Sequence, residues 1–488
     1  MAATAFERFL IDFPDYRSTE ALDEIRAAEY ARLDAHGHTY LDYTGACLFA
    51  TSQLREHALW LSSGVFGNPH SASPASAAAT AAVENARRDV LRWFNGTRDY
   101  VAVFTQNASA ALKLVGESYP FGPGSRLLLT ADNHNSVNGV RQFAQARGAA
   151  VEYAGLTFPE LRLDRDDVTA RLAQPATGTP RLFAFPAQSN FSGVKHPLDL
   201  VAEARRFGWD VLLDAAAFVP TNRLDLEAVQ PDFVSVSFYK MFGYPTGVGC
   251  LLARREALAR LARPWFAGGT VNFATVQAQA HLLSPGEAGF EDGTLNFLSI
   301  PAVAIGLRHL ERAGLERIGT RVTCLTGWLL QELLALKHAN GRSLVRIYGP
   351  MTTEMRGGVV TMNFYDPEGH LLDYRRLEEL AGAQGISLRT GCFCNPGTGE
   401  TAEHITEEDI LAALDQSHDM SLPRFLQFIT HRGGKSAGAI RVSVGIASNF
   451  ADVQRFLAFA APLRDQTRLS IGETSFDIAS CRVIRDGS

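Results

Sequence analysis

The 488-residue sequence is short of cysteine, of long apolar runs and of excess positive charge. Its six cysteines are regularly spaced only at Cys392 and Cys394, which argues against a disulfide framework and predicts a reducing compartment, the cytosol. No stretch approaches the roughly 20 apolar residues that a membrane-spanning helix needs. The N-terminal segment has acidic residues where a secretory signal has an apolar core, so we expect neither an anchor nor a signal peptide.

The charge balance excludes a further class of function. Lys and Arg number 46 against 52 Asp and Glu, which gives a net charge of -6, and no basic run is interleaved with aromatic residues. A nucleic-acid partner is therefore not expected. With 46% hydrophobic and 20% charged residues, the chain can bury a large core in two or three structural units.

Short apolar runs alternate with helical patterns in the first part of the chain. The runs are "YVAVFT", "RLLLT", "RLFAFP", "WDVLLD" and a last one that ends at Lys240. This alternation is typical of an α/β fold in which helices cover both faces of a mostly parallel sheet. We expect residues 51–300 to form this large domain.

The pattern changes from Pro301 onward. A long helical stretch to about residue 338 is followed by three short strand patterns, "GGVVTMNFYD", "GISLRTG" and "GAIRVSVG". They predict a smaller α+β domain made of residues 301–488 and the N-terminal residues 1–50, in which "TYLDYTGACLF" is a strand and a turn.

Polar residues follow the predicted parallel strands at the point where each strand ends. Because ligands collect at the carboxyl edge of such a sheet, these side chains are expected to converge on one site. The residues are Thr105 to Ser109, His134, Asn190, Asp214 and Lys240.

One cofactor, pyridoxal phosphate, requires this set of side chains. It needs a lysine for a Schiff base, here Lys240, and a carboxylate that keeps its pyridine nitrogen protonated, here Asp214. His134 can stack on the ring, and Asn190 can donate to the phenolic oxygen. The phosphate can meet the first amides of the helix opened by "NASAA", that of Ala108 among them, with the hydroxyls of Ser109 and Ser237.

Each of these residues also has an ordinary explanation. A lone Lys240 is most often solvated, Asp214 can be a helix cap or a turn former, and His134 can be a hydrogen-bonded loop residue. Their joint occurrence after successive strands favours the cofactor site.

A second group of residues lies in "LRTGCFCNPGTG". The C-x-C spacing of Cys392 and Cys394 lacks a second ligand pair, so no metal site is predicted. Cys392 is either a small buried hydrophobe or a functional thiol. Cys394, on a glycine-framed loop with Arg389 upstream, is expected to be a reactive thiol whose pKa a nearby cationic group or ring system can lower.

Arg441 lies within the short apolar strand of "GAIRVSVG". A buried arginine needs a partner, and its planar fork suits the carboxylate of a substrate. The alternative is a structural ion pair with an Asp or Glu.

Several motifs, taken in order, carry a family resemblance. "FPAQSNFSG", "SFYKMFGYPTGVGCLL", "FAGGTV", "FEDGTLNFLSI", "LRTGCFCNPG" and "GAIRVSVGIASNFADV" resemble the aminotransferase class V domain of molybdenum cofactor sulfurases, which are related to cysteine desulfurases. The resemblance covers roughly residues 25–465. It implies the type I fold of pyridoxal-phosphate-dependent transferases, normally as a homodimer. It also implies an enzyme that takes sulfur from L-cysteine, releases alanine and passes the sulfur, held as a persulfide, to an acceptor.

The resemblance also implies roles for individual residues. Lys240 is the Schiff-base lysine, Asp214 the pyridinium partner and His134 the stacking and acid-base residue, while Asn190 sits at the phenolic oxygen and Ser109 and Ser237 at the phosphate. Thr294 is similar to a threonine that reaches the phosphate of the neighbouring subunit. Arg441 matches the arginine that binds the carboxylate of the cysteine substrate, and Cys394 matches the persulfide carrier. We expect Arg389 and Asn190 to bind the substrate beside Arg441.

The sequence departs from the desulfurase pattern at several places. Ala217 replaces a glutamine that contacts the cofactor, and Tyr239 replaces a phosphate-binding histidine whose donor its hydroxyl can supply. Thr398 and Gly399 stand where a third cysteine is often found.

The identity of the sulfur acceptor stays open. Eukaryotic sulfurases of this kind continue into a C-terminal domain that binds the molybdenum cofactor, whereas about 25 residues follow the resemblance here. The acceptor is the molybdenum cofactor on another protein, a sulfur-carrier protein or a biosynthetic intermediate. The competing interpretations are a C-S lyase or an aminotransferase on the same fold, and a protein that has lost the chemistry and serves as a scaffold.

Overall fold

The computed structural model describes residues 4–69, 71–175, 180–415, 436, 438–467, 474–477 and 482–485. In chain order the helices are α1 (Ala5–Asp12), α2 (Ala21–Glu29), α3 (Arg32–Ala35), α4 (Thr51–Ser63), α5 (Pro74–Trp93), α6 (Ala108–Ser118), α7 (Asn135–Asn138), α8 (Val140–Ala146), α9 (Arg165–Ala173), α10 (Asp199–Arg206), α11 (Leu226–Val229), α12 (Phe238–Phe242), α13 (Arg255–Leu258), α14 (Pro301–Ala313), α15 (Leu315–Ala335), α16 (Tyr374–Ala383), α17 (Pro396–Ala402), α18 (Glu407–Asp415) and α19 (Phe450–Ala460). Short 3-10 helices cover Pro14–Thr19, Gly286–Phe290 and Ala461–Leu463.

Strands make up the rest of the regular structure. In chain order they are β1 (Thr39–Tyr40), β2 (Tyr100–Thr105), β3 (Arg126–Thr130), β4 (Ala150–Ala154), β5 (Leu156–Thr157), β6 (Arg162–Leu163), β7 (Arg181–Pro186), β8 (Asp210–Asp214), β9 (Phe233–Ser237), β10 (Gly249–Arg254), β11 (Val271–Ala274), β12 (His281–Leu283), β13 (Val345–Tyr348), β14 (Val359–Phe364), β15 (Ile386–Ser387), β16 (Arg389–Gly391), β17 (Ala439–Ser443), β18 (Thr474–Asp477) and β19 (Arg482–Arg485).

The largest sheet has seven strands in the order β2-β10-β9-β8-β7-β3-β4. The pairs among β9, β8, β7, β3 and β4 are parallel, while β10 runs antiparallel between β2 and β9. Successive side chains are buried in two apolar clusters; Leu128 belongs to one, and Leu127 and Leu129 to the other. Both faces are therefore covered, which confirms the predicted α/β class with a mostly parallel sheet.

The expected strand ending at Lys240 is wrong in its last residues. Strand β9 stops at Ser237, and Lys240 lies in the one-turn helix α12. A helical turn brings Phe238 and Phe242 together with stacked rings, and both are fully buried. Gly243, at φ 78°, ends the turn.

A four-stranded antiparallel sheet, β13-β14-β17-β16, lies in the later part of the chain. The expected long helix is two helices, α14 and α15, because Gly314 adopts φ 78° between them. Strand β1 pairs in parallel with β15, so the early strand-and-turn segment packs against the later part of the chain. The division at residues 50 and 300 stays a prediction.

Two further observations concern the membrane and the C-terminal tail. Among the helices of the described ranges, none is both long and apolar enough to cross a bilayer. Strands β18 and β19 pair in the tail. Cys481, which we expect to have no function, lies outside the described residues.

Candidate functional site

A cavity of about 180 Å³ opens at the carboxyl edge of the large sheet. It collects the side chains that follow β2, β3, β7, β8 and β9, as the sequence predicts. Its lining is Asn107, Ala108, Ser109, Leu112, His134, Ser136, Pro186, Gln188, Asn190, Asp214, Ala216, Ala217, Ser237, Tyr239 and Lys240.

The N-terminus of α6 forms one wall of this cavity. The Asn107 side chain caps the helix by accepting from the Ala110 amide, and the Ala108 amide donates to Ser237 Oγ at 3.0 Å. A Cβ on Gly249 would lie 2.5 Å from Asn107 Cα, so only glycine lets the turn before α6 approach β10 this closely. The wall therefore offers helix-terminal amides together with the Ser109 and Ser237 hydroxyls.

Asp214 lies at the end of β8, where it is buried in the floor of the cavity. Its Oδ1 accepts from Ser235 Oγ at 2.8 Å and from the Ala216 amide at 3.1 Å. These two bonds fix the carboxylate against the sheet.

His134 caps the short helix α7, and its Nδ1 accepts from the Ser136 amide at 3.1 Å. Burial lowers the pKa of His134, and the charges of Lys240 and Arg441 act in the same direction against the opposing effect of Asp214. The imidazole is therefore neutral at physiological pH, as a ring that stacks or exchanges a proton requires.

Lys240 enters the cavity from α12. Burial lowers the pKa of its amine, Arg441 and Arg389 lower it further, and Asp214 and Asp42 partly offset this. The lowered pKa increases the fraction of neutral amine, which is the form that can attack a carbonyl or accept a proton.

The loop that carries Cys394 is bound over the His134 turn. The Asn135 amide donates to the Cys394 carbonyl at 2.7 Å, and Asn190 Nδ2 donates to the Phe393 carbonyl at 2.8 Å. Fully buried Asn395 donates from Nδ2 to Asn190 Oδ1 at 2.9 Å and to the Asp132 carbonyl at 2.7 Å. Asn190, expected at the cofactor and the substrate, therefore also holds the cysteine loop.

The expectation that nearby cations bring the pKa of Cys394 below its ordinary value is wrong. The thiol is on an exposed residue with φ 54°, yet partial burial of its environment raises the pKa, and neighbouring Cys392 raises it further. Lys240, Arg389 and Arg441 lower it by less. Arg389 and Arg441 are both paired with Asp42, whose negative charge offsets part of their effect on the thiol. Cys392 is half-buried on the same loop.

Arg441 and Arg389 share one carboxylate, which belongs to Asp42. Arg389 donates to it through Nε at 2.9 Å and Nη2 at 2.6 Å, and Arg441 Nη2 donates at 3.0 Å. The ion-pair alternative for Arg441 is therefore present in this structure. Asp42 was missed by sequence reasoning, although it lies in the "TYLDYTGACLF" segment that signalled a strand and turn.

The remaining predicted residues divide between two cavities. Tyr239 and Ala217 line the same cavity as Lys240. Thr294 instead lies on an exposed wall of a separate cavity of about 340 Å³, where Asn68 Nδ2 donates to its hydroxyl at 3.5 Å. Within one chain, Thr294 does not meet the Lys240 site. Gln188, a buried lining residue, was not predicted.

Comparisons with known proteins agree with this arrangement. Residues 39–456 match the aminotransferase class-V family. The chain is 37% identical to the molybdenum cofactor sulfurase of Solanum lycopersicum over 93% of its own length and 59% of that protein. It is 36% identical to the human molybdenum cofactor sulfurase over 91% of its own length and 51% of that protein.

Solved structures show the same fold. A cysteine desulfurase from Thermococcus onnurineus matches with a TM-score of 0.73 and 23% identity, over 90% of this chain and 97% of that one. A cysteine desulfurase from Escherichia coli matches with a TM-score of 0.68 and 19% identity, over 91% and 99%.

The chain thus has the type I fold of pyridoxal-phosphate-dependent transferases, and it belongs to the aminotransferase class-V family. Within that family it is similar to molybdenum cofactor sulfurases, and it spans between about half and three fifths of the length of the curated relatives named here.

Proposed function

We propose that the protein is a pyridoxal-phosphate-dependent cysteine desulfurase. It would take sulfur from L-cysteine, release alanine and hold the sulfur as a persulfide on Cys394 for transfer to an acceptor. The observation that carries this proposal is the binding of the Cys394 loop, through Asn190 and Asn135, over a cavity that contains Lys240, Asp214 and His134.

The residues of the cavity fit the cofactor by their chemistry. Lys240 offers an amine with a lowered pKa to the cofactor's aldehyde, and buried Asp214 would hold the proton on its ring nitrogen. His134 would stack on the ring. The Ala108 amide, the Ser109 and Ser237 hydroxyls and the Tyr239 hydroxyl would receive the phosphate.

Each step of the proposed reaction is assigned to a particular side chain of the protein. When bound, pyridoxal phosphate supplies an electron sink for the electrons left on the substrate Cα. Lys240 Nζ would remove the α-proton, Arg441 would bind the α-carboxylate with Asn190 and Arg389 beside it, and His134 would exchange a proton near the ring. The Cys394 thiolate would attack the substrate sulfur, so that a sulfur-sulfur bond forms, the carbon-sulfur bond breaks and Cβ takes the electron pair and a proton. Lys240 would return a proton to Cα, which gives alanine.

The proposal extends to partners. A homodimer would bring Thr294 of one copy to the phosphate site of the other, and the exposed Cys394 would meet an acceptor, either the molybdenum cofactor bound to another protein or a sulfur-carrier protein. The similarity to molybdenum cofactor sulfurases supports the first acceptor.

The experiment that tests the proposal measures alanine released from L-cysteine by the purified, cofactor-loaded protein, with mass spectrometry of the Cys394 peptide. We expect alanine and one added sulfur on Cys394. Cys394→Ala should abolish both and keep the visible absorption of the cofactor, whereas Cys324→Ala, a cysteine in α15, should behave as the parent protein.

Two results would contradict the proposal. Pyruvate without a modified cysteine would identify a C-S lyase, the activity named for one structural neighbour of 17% identity and TM-score 0.65. A protein that stays colourless with added pyridoxal phosphate would remove the cofactor assignment.

A further inference from the structure

Asp42 is a buried carboxylate that no part of the proposed reaction uses. It follows β1, is 7% exposed, and accepts from two arginines that reach it from β16 and β17. The atoms involved are Arg389 Nε and Nη2 and Arg441 Nη2, at 2.6 to 3.1 Å. One carboxylate therefore pairs with two guanidinium groups, and the cluster of Asp42, Arg389 and Arg441 has a net charge of one positive unit.

The main chain around Asp42 is fixed to the strand that carries Arg441. Asp42 forms an isolated bridge with Ser443, and the Thr44 amide donates to Ser443 Oγ at 2.9 Å. The turn that follows leaves no room for a side chain, because a Cβ on Gly45 would lie 2.5 Å from Asp42 Oδ2. The carboxylate thus has a defined place beside Arg441.

Arg441 is constrained on three sides. Its Nη1 donates to the Asn190 carbonyl at 3.1 Å, its Nη2 donates to Asp42, and the Phe393 ring covers one face of the guanidinium. Its buried Nε has no hydrogen-bond partner within the described part of the chain. A buried N-H without a partner is costly, so the group is set to receive an acceptor from a ligand.

Without Asp42, the two arginines would repel each other. Arg389 is half-exposed, so it would be free to turn away or into the cavity, and Arg441 would lose one of the bonds that set the plane of its fork. A shift of about 1 Å in a positioned group is enough to spoil binding and catalysis.

We propose that Asp42 is a positioning residue that orients Arg441 for the α-carboxylate of an amino acid and holds Arg389 at the side of the site. This inference rests on the proposed function in one respect, that an amino acid binds with its carboxylate at Arg441. The single net positive charge of the cluster then matches the single carboxylate of the ligand.

The test compares two ligands that differ only by a carboxylate, L-alanine and ethylamine. Their dissociation constants are measured from the absorption of the cofactor-loaded protein and its Asp42→Asn variant. We expect Asp42→Asn to weaken L-alanine binding by about tenfold or more, because a buried charged partner is lost, and to change ethylamine binding by less than about twofold. Equal losses for both ligands, or no loss for L-alanine, would overturn the inference.

A second variant separates position from charge. Gly45→Ala keeps the carboxylate but places a Cβ against it, so it should also weaken L-alanine selectively. Asp452→Asn is the matched control, because Asp452 is similarly buried and also binds an arginine, Arg26 at 2.6 Å, which is neither Arg389 nor Arg441. It should leave both dissociation constants unchanged; a selective loss of L-alanine binding in the control would also overturn the inference.

The outcome can be told apart from that of the proposed function. Alanine release from L-cysteine is measured on the same parent protein. Absence of alanine together with a selective loss in Asp42→Asn would reject the desulfurase activity and retain the positioning role. Alanine release together with equal losses of affinity for both ligands in Asp42→Asn would retain the desulfurase activity and reject the positioning role.

Discussion

The Phe393 ring lies against Arg441, with the guanidinium carbon 4.7 Å from the ring centroid. Phe393 immediately precedes Cys394, and its ring also meets Phe191 at 5.4 Å in an edge-to-face contact. The residue next to the proposed sulfur carrier therefore contacts the arginine proposed to bind the substrate carboxylate.

Phe393→Leu tests this contact, because leucine keeps apolar volume but removes the ring face. A cation-π contact contributes about 0.5–1 kcal/mol, so we expect KM for L-cysteine to rise about two- to fivefold with the cofactor absorption unchanged. Steady-state alanine release gives the value. An unaltered KM would show that the ring does not support Arg441.

Asn395→Ala should release the cysteine loop. The variant loses the amide that bonds Asn190, the Asp132 carbonyl and Thr398 Oγ, and it leaves buried polar groups unpaired at a cost of about 1–3 kcal/mol. We expect kcat for alanine release to fall at least about tenfold while cofactor binding persists. The two quantities to measure in one preparation are kcat for alanine release and the amount of bound cofactor. Loss of the cofactor together with activity would mean that Asn395 supports the whole cavity and not the loop.

The pH dependence of alanine release should follow Cys394. Burial raises the pKa of this thiol above its ordinary value, so the thiolate fraction and the rate should still be increasing where a free thiol, with a pKa of about 8.5, is half ionised. Arg389 lowers the pKa of Cys394, so Arg389→Gln should shift the rise of the rate with pH to higher pH. A rate that levels off below pH 8 in the parent protein would contradict this assignment.

Gly249→Ala should disturb the wall that we propose binds the phosphate. Its Cβ would lie 2.5 Å from Asn107 Cα and 2.8 Å from the Val236 carbonyl oxygen, both of them backbone atoms. We expect the free energy of unfolding to fall by about 1–3 kcal/mol and cofactor affinity to weaken. Urea denaturation and cofactor titration measure the two effects. Gly122→Ala, where a Cβ would contact nothing within 4 Å, is the control and should change neither.

His309 should make the protein sensitive to acid. The ring is 2% exposed, hydrogen-bonds the Tyr30 hydroxyl at 2.8 Å, and burial lowers its pKa to about 4. Between pH 6.5 and 4 the unfolded chain binds a proton at this histidine and the folded protein does not, so stability falls as the pH falls. The contribution is of the order of 3 kcal/mol across that window. His309→Gln should flatten the fall in urea midpoint with pH; an unchanged slope would contradict the assignment.

The local patterns of the sequence determined most of the strands and the residues of the cavity. Continuous apolar runs define β2, β3, β7 and β8 because a strand buried on both faces needs them. The polar residues at their ends meet because parallel strands share one carboxyl edge. Lys240, Asp214, His134 and Asn190 could be predicted together for that reason.

Only the tertiary structure decided the features that depend on distant segments. The run before Lys240 reads as strand, yet burial of Phe238 and Phe242 against the rest of the protein makes its last residues a helical turn. Likewise, the pKa of Cys394 depends on desolvation by the surrounding fold, which no local spacing reports. The pairing of Asp42 with Arg441 joins residues 399 positions apart, and a single sequence contains no signal for a contact made by three-dimensional packing.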